Sequence, residues 1–457
     1  MDPSNAVNEH YLGHVVQMSE DTDVEAGEDI FASNGIKLLS KRARIDGKTR
    51  DLLLQHKLTK PLETMVRVID GVGTRRIDRV AEAMLDQHPL LAYVCGQTSA
   101  RLLADELRNL VLTPQVDSLL SVYAAHAPGK LEHAVGIALL SAAMGHDFGS
   151  TSGCESQTLI LAGLLHDVGE LYIDPAYLKA GTRLQAKQWK HIATHPIVGA
   201  RVLKEMPGAG AQVSSAVLHH HERLDGFGYP QGARADRTPM AGQVLAVSEL
   251  LMGLMESGAN HGLRADIAMK LVPGEFNRAL LDRVVTAARR VQPKGHEANV
   301  MADELAAGMS SLARSLRNLR EVKTIIASES AGYSEALRRQ LDEAVQRCER
   351  IRIAFASTGL EGMNEQRLGE HLSGVDDNTL MEIGIVLREL QWRLSELERF
   401  STIRAERLST REARKVQQLL GQIVANPQPA PELNRTASTA KPGNADRTRS
   451  AMSTAGV

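Results

Sequence analysis

Histidine is concentrated in one part of this chain. Nine of its sixteen histidines (His126, His133, His146, His166, His191, His195, His219, His220 and His221) fall between positions 126 and 221. Imidazole is the commonest metal ligand and titrates near neutrality, so such enrichment points to a metal centre or an acid–base site. Chance clustering on solvent-facing loops is the competing explanation, and spacing separates the two. His166-Asp167 closes the apolar run Leu159–Leu165 and is followed at once by Val168-Gly169. A polar pair at the end of a buried helix has to find partners, because unpaired buried polar groups are costly. The other His-Asp pair, His146-Asp147, runs into Phe148-Gly149-Ser150 and reads as surface. His195-Pro196 fits a helix start, and Gly199 permits close backbone approach. Within His219-His220-His221, helical neighbours lie about 100° apart, so two of the three can reach one cluster. The turn Gly226-x-Gly228-Tyr229-Pro230 then makes a compact loop beside that cluster.

The elements that must position these residues read as mainly helical. With 457 residues, 43% hydrophobic and 24% charged, the chain has the composition of an ordinary globular protein with ample length for a buried core. Its net charge of -2 provides no global field for a nucleic acid polymer or an anionic membrane. Three scattered cysteines (Cys95, Cys154, Cys348) form neither a disulfide framework nor a thiolate zinc site, which favours a reducing cytoplasm. The acidic first twenty residues do not read as a leader, and no apolar run reaches membrane-spanning length.

Residues 1–23 are expected to be a disordered lead-in. A small β-containing module at 24–70 should carry a hairpin over Asn34-Gly35 and a short helix near Lys48–His56. An all-helical bundle is expected over 71–295, with apolar residues three and four apart, as at Val80, Met84 and Leu91. A C-terminal helical region should cover 296–425, where Leu305, Met309, Leu312, Leu316, Leu319 and Ile326 form a seam. That seam fits either an amphipathic helix folded on its own chain or a coiled coil joining a homodimer. Residues 426–457, rich in Pro, Ser, Thr and Asn, read as a disordered tail. The sequence holds no Gly-rich phosphate loop of the Walker or Rossmann type.

Taken together, His166-Asp167-Val168-Gly169, His195-Pro196-x-x-Gly199 and His220-His221-Glu222-Arg223 followed by Asp225-Gly226-x-Gly228-Tyr229-Pro230 resemble, in order and spacing, the HD-GYP domain. That family is a branch of the HD metal-dependent phosphohydrolases that cleaves the bacterial second messenger cyclic di-GMP. The resemblance covers about residues 120–290. It implies an HD-type helical bundle in which His133, His166, Asp167, His195, His220, His221 and Glu249 hold metal, with Asp167 bridging two ions and His219 left over. Glu249 stands where the family has an Asp. Gly129, one turn before His133, supplies no acid for a third ion, so two divalent metals are expected, Fe or Mn on the chemistry of a thiolate-free donor set. A second departure is Glu170, where the family has a Lys.

Two such metals can activate water and neutralise charge developing at phosphorus. Asp167 and Arg223 are the expected catalytic residues, and Arg223, Gly228 and Tyr229 the expected substrate contacts. The alternatives are a loop salt bridge for Arg223 and a packing anchor for Tyr229. The implied function is a cytoplasmic phosphodiesterase converting cyclic di-GMP to pGpG or GMP. Because Glu170 replaces a cation, a catalytically weak domain serving as nucleotide sensor or docking module for signalling partners is the alternative, and an HD hydrolase acting on another nucleotide is a third.

Overall fold

The computed structural model describes residues 6–96, 100–149, 154–179, 184–256, 261–291, 302–356, 370, 372 and 374–424. The expected tail, 426–457, lies outside the described residues. The chain is mainly α: a helical bundle with a small β-containing segment before it and a helical extension after it.

The expected lead-in is corrected from residue 9 onward, because Glu9–Met18 forms helix α1. The Asn8 side chain caps it, accepting from the N–H groups of His10 and Tyr11 at 3.0 Å each. Tyr11, Leu12 and Val15 are buried, and the Tyr11 ring stacks on Tyr172 with centroids 5.2 Å apart. A single apolar face among acidic neighbours was enough to order the segment, since Tyr172 lies just beyond the His166-Asp167 pair and offers that face a partner.

Two short antiparallel pairs follow. Val24–Ala26 (β1) pairs with Val66–Val68 (β4), and Ile30–Phe31 (β2) with Lys37–Leu39 (β3) across the Asn34-Gly35 turn, where Gly35 has φ +88°. Between β3 and β4 lies α2 (Gly47–Leu54), opened by an Asp46–Thr49 capping box. Helices α3 (Gly73–Gln87), α4 (Pro89–Gly96), α5 (Ala100–Arg108) and α6 (Pro114–His126) come next. The last of these fastens β4: Ser118 and Ser121 hydroxyls accept from the Val68 and Val72 N–H groups at 3.0 and 2.8 Å.

At the centre are α7 (Lys130–Gly145) and α8 (Ser156–Leu165), buried on nearly every side as their unbroken apolar runs require. Around them pack α9 (Ala186–Ile192), α10 (His195–Glu205), α11 (Gly210–His219), α12 (Met240–Glu256), α13 (His261–Leu271) and α14 (Arg278–Ala288). One apolar core runs from Tyr11 to Ala288, so the β-containing segment shares its core with the bundle. A second core joins α15 (Ala302–Glu329), α16 (Glu335–Ala356), α17 (Asp377–Ala405) and α18 (Thr410–Val424). Leu305, Met309, Leu312, Leu316 and Leu319 are buried in this second core, with Ile326 packed against it, so the seam is covered within the chain. Among the described residues, no helix is long and apolar enough to cross a membrane.

One contact sets the spacing of the bundle around the histidines. A Cβ at Gly169 would overlap the His195 carbonyl oxygen and come 2.8 Å from the Gly199 nitrogen. Both glycines therefore let the segment after α8 lie backbone to backbone against the start of α10. Gly169→Ala is expected to lower stability by about 1–3 kcal/mol through overpacking. Urea unfolding measures it, and an unchanged midpoint would contradict the close approach.

Candidate metal centre

The candidate ligands reach the centre from five helices. His133 lies in the first turn of α7, His166 and Asp167 just past the end of α8, His195 at the start of α10, His220 and His221 just past α11, and Glu249 midway along α12. Three of the imidazoles use the same local bond. His166 Nδ1 donates to the Gly163 carbonyl at 2.8 Å, His195 Nδ1 to Ile192 at 2.8 Å, and His220 Nδ1 to Val217 at 2.6 Å. In each case the acceptor is three residues back, where a helical turn leaves a carbonyl in reach. With Nδ1 committed to a carbonyl, Nε2 is the nitrogen turned inward in all three.

The inward nitrogens converge. His133 Nε2 is 3.2 Å from His166 Nε2, and His195 Nε2 is 3.1 Å from His220 Nε2. Asp167 connects the two pairs: Oδ1 is 3.2 Å from His195 Nε2 and 3.4 Å from His220 Nε2, while Oδ2 is 3.5 Å from His166 Nε2. Glu249 Oε2 lies 3.2 Å from His133 Nε2 and 3.3 Å from His166 Nε2. Two donor groups result, Asp167 with His195, His220 and His221, and Asp167 with His133 and His166; within each, the ligand atoms lie within 4.8 Å of one another.

Electrostatics divides the cluster in the same way. Burial alone depresses the His166 imidazolium, but Asp167 and Glu249 carry its pKa up to about 10. His133 likewise rises to about 9 against burial, because Glu256 and Glu249 face it. His220 and His221, buried among other imidazoles, are lowered, His221 strongly. Although burial disfavours a carboxylate, the surrounding imidazoles hold both Asp167 and Glu249 well below the usual range.

The donor set fits divalent cations. With both Nδ1 atoms donating outward, the Nε2 lone pairs of His195 and His220 oppose each other at 3.1 Å, which is unfavourable unless a positive charge lies between them. The buried His221 Nε2 has no hydrogen-bond partner among the described residues. Imidazole nitrogen and carboxylate oxygen without thiolate is the chemistry of Fe, Mn or Zn sites, and the three cysteines are buried outside the cluster.

The expected substrate contacts are placed differently. The Arg223 guanidinium lies 4.7 Å from the Phe276 ring centroid, and its charged neighbours are Glu275 and Glu396. Tyr229 stacks on His221 with centroids 4.4 Å apart and also meets Trp189 and Phe400. A Cβ at Gly228 would collide with the Glu222–Arg223 backbone, so this glycine serves the folding of the loop. His219 turns away, donating Nδ1–H to the Ser215 carbonyl at 2.8 Å, and His146 and His191 are exposed.

Several participants were not identified from sequence. Glu256 faces His133 Nδ1 at 2.8 Å, and its signal was available, since it follows Glu249 by seven residues on one helix. Glu222 accepts from the Gln231 and Ala233 N–H groups at 2.7 and 2.8 Å, closing the Gly-Tyr-Pro loop. The C-terminal helices grip the same loop: Arg347 pairs with Asp225, Arg404 donates to the Gly226 carbonyl, and Phe227 is buried in the second core. Glu170 is buried and ion-paired to Lys130, the first residue of α7.

A family model described as HD domain matches residues 101–283. Cyclic di-GMP phosphodiesterase PA4108 of Pseudomonas aeruginosa is 36% identical over 90 residues, 20% of this chain and 22% of that protein. The 3'3'-cGAMP-specific phosphodiesterase 2 of Vibrio cholerae is 28% identical over 123 residues, 27% of this chain and 23% of that protein. The chain thus spans less than a quarter of the length of these curated relatives. Among solved structures, Bd1817, a HDG"Y"P protein from Bdellovibrio bacteriovorus, aligns with TM-score 0.32 and 14% identity over 63% of this chain and 98% of that chain. Residues 101–283 thus form an HD domain. The His220-His221-Glu222 and Gly228-Tyr229-Pro230 motifs within it are those by which the sequence resembles the HD-GYP branch.

Glu256 holds a ligand imidazole from behind, and losing such a partner typically reduces metal affinity by about 10- to 100-fold. Glu256→Gln is therefore expected to release metal to a chromogenic chelator at correspondingly lower chelator concentration. Release indistinguishable from wild type would remove Glu256 from the centre.

Proposed function

We propose that this chain is a metal-dependent phosphodiesterase that hydrolyses cyclic di-GMP to pGpG or GMP. Its metals, two divalent ions of Fe or Mn, are held by His133, His166, Asp167, His195, His220, His221 and Glu249. The observation that carries this reading is the sharing of Asp167 between two groups of inward-turned Nε2 atoms. The relatives named as cyclic di-GMP and 3'3'-cGAMP phosphodiesterases support the substrate class.

When bound, such a pair of cations supplies activated water at neutral pH and neutralises charge on a transferring phosphoryl group. The chain's own part is orientation. Asp167 spans both groups and fixes their separation, the Nδ1–carbonyl bonds prevent the imidazoles from rotating, and Tyr229 covers His221 and limits water on that side. Attack of water on one phosphodiester breaks its P–O3' bond, leaving a 5'-phosphate and a free 3'-hydroxyl. A second cleavage gives two GMP. Three scattered, buried cysteines suit a reducing cytoplasm, where a second messenger and its signalling partners would be met.

A sensor or docking module with weak turnover is the second reading, and it rests on Glu170 standing in place of a cation. The Lys130–Glu170 pair weakens that argument, because it returns a positive charge to the same spot.

Elemental analysis of the isolated protein is expected to find about two Fe or Mn per chain, with turnover of cyclic di-GMP followed by chromatography and 3'3'-cGAMP run in parallel. The His166→Ala/Asp167→Ala variant should lose at least about 10³-fold in kcat. Wild-type turnover equal to that variant's on both dinucleotides would end the enzyme reading.

A further inference from the structure

Position 170 is an unusual place for a carboxylate. Glu170 is only 1% exposed and lies one turn beyond Asp167, whose own carboxylate is buried among the imidazoles. Two acids so close in a water-poor site repel each other unless a cation separates them. Lys130 provides it. Its ammonium pairs with Glu170, lies 3.9 Å from Asp167 Oδ2 and passes 5.3 Å from the Tyr123 ring centroid. The side chain is 12% exposed, so the charge sits at the inner edge of the site and not in open solvent.

The backbone explains how a residue forty positions away arrives there. Gly129, at φ +82°, turns the chain into α7, so Lys130 begins the helix three residues before His133. Residues three apart share a helix face, and Lys130 therefore points to the same side as a metal-ligand candidate. Arg223, by contrast, has its guanidinium over Phe276 and is directed to the acids of the C-terminal side.

We infer that Lys130 is the residue that receives a non-bridging oxygen of the substrate phosphate, and that Glu170 is the positioning residue that holds it there. The inference deepens the phosphodiesterase reading and rests on it for the identity of the substrate. An ammonium beside a carboxylate shared by two cation positions is where a phosphate bound at those positions presents its oxygens. Glu170 supplies what a long flexible side chain lacks, a fixed location. The pair does from two elements what one lysine after Gly169 would do from one.

The test uses the full chain loaded with metal, with inorganic phosphate and cyclic di-GMP as probes for calorimetric binding and kinetics. Lys130→Gln should retain its metal, bind phosphate about tenfold more weakly and lose about 10²-fold in kcat/KM, the scale set by removing one charge-stabilising donor. Because that variant removes the cation facing a buried carboxylate, Lys130→Gln/Glu170→Gln is made beside it. It should regain thermal stability but not phosphate affinity. Glu170→Lys alone should lower activity by crowding two ammonium groups, whereas the exchange Lys130→Glu/Glu170→Lys should recover phosphate binding to within about threefold of wild type.

Phosphate affinity and kcat/KM unchanged in Lys130→Gln would overturn the assignment and leave the phosphodiesterase reading intact. An exchange variant that folds and holds metal yet binds phosphate no better than Lys130→Gln would overturn it as well. A wild type without turnover, whose phosphate affinity still falls on Lys130→Gln, would sink the phosphodiesterase reading and keep the Lys130 assignment. A metal-loaded wild type that binds neither probe would sink both.

Discussion

Three imidazoles donate Nδ1–H to the carbonyl three residues behind them, and the character of the site follows from that repeated bond. It chooses the tautomer, and the tautomer chooses which nitrogen faces inward. Without it, His166, His195 and His220 could satisfy themselves by pairing Nε2–H with any nearby oxygen. With it, their Nε2 atoms gather around Asp167, and a group of buried side chains acquires a common focus. The bundle is arranged to permit this: helices end at the histidines, leaving free carbonyls in the last turn.

The charges around this centre are balanced locally. Asp167 and Glu249 are kept ionised by the imidazoles, and Glu170 is paired with Lys130. A buried acid beside each buried base limits the desolvation that a lone charge would suffer. The same logic extends outward, where Glu275 lies between Arg347 and Arg393 beneath the Gly-Tyr-Pro loop.

What was legible in the sequence was whatever is encoded locally. The apolar run into His166-Asp167, the His195-Pro196 helix start and the compact turn after His221 each carry their meaning within a dozen residues, and the structure brings these histidines together. The Asn34-Gly35 hairpin was readable for the same reason, because its turn chemistry is self-contained. Helix α1 was not, since its single apolar face gains its partner, Tyr172, only in the folded chain. Nor was the identity of the cation beside Glu170: viewed as a string, Glu170 is a lost lysine, whereas in three dimensions Lys130 stands next to it. Pairings across distant elements leave no periodic trace, and the grip of Arg347 and Arg404 on the loop belongs to the same class.

That grip bears on what counts as the smallest working piece of this molecule. The stretch matched as an HD domain stops at residue 283, yet Asp225, Gly226, Phe227 and Tyr229 find Arg347, Arg404, the second core and Phe400 well past that limit. Excised at its recognisable boundary, the histidine-bearing segment would leave the loop's acid unpaired and its aromatic rings wet. Sequence kinship marks where an ancestor's module ended, whereas the severable physical unit extends to wherever its last buried contacts are met.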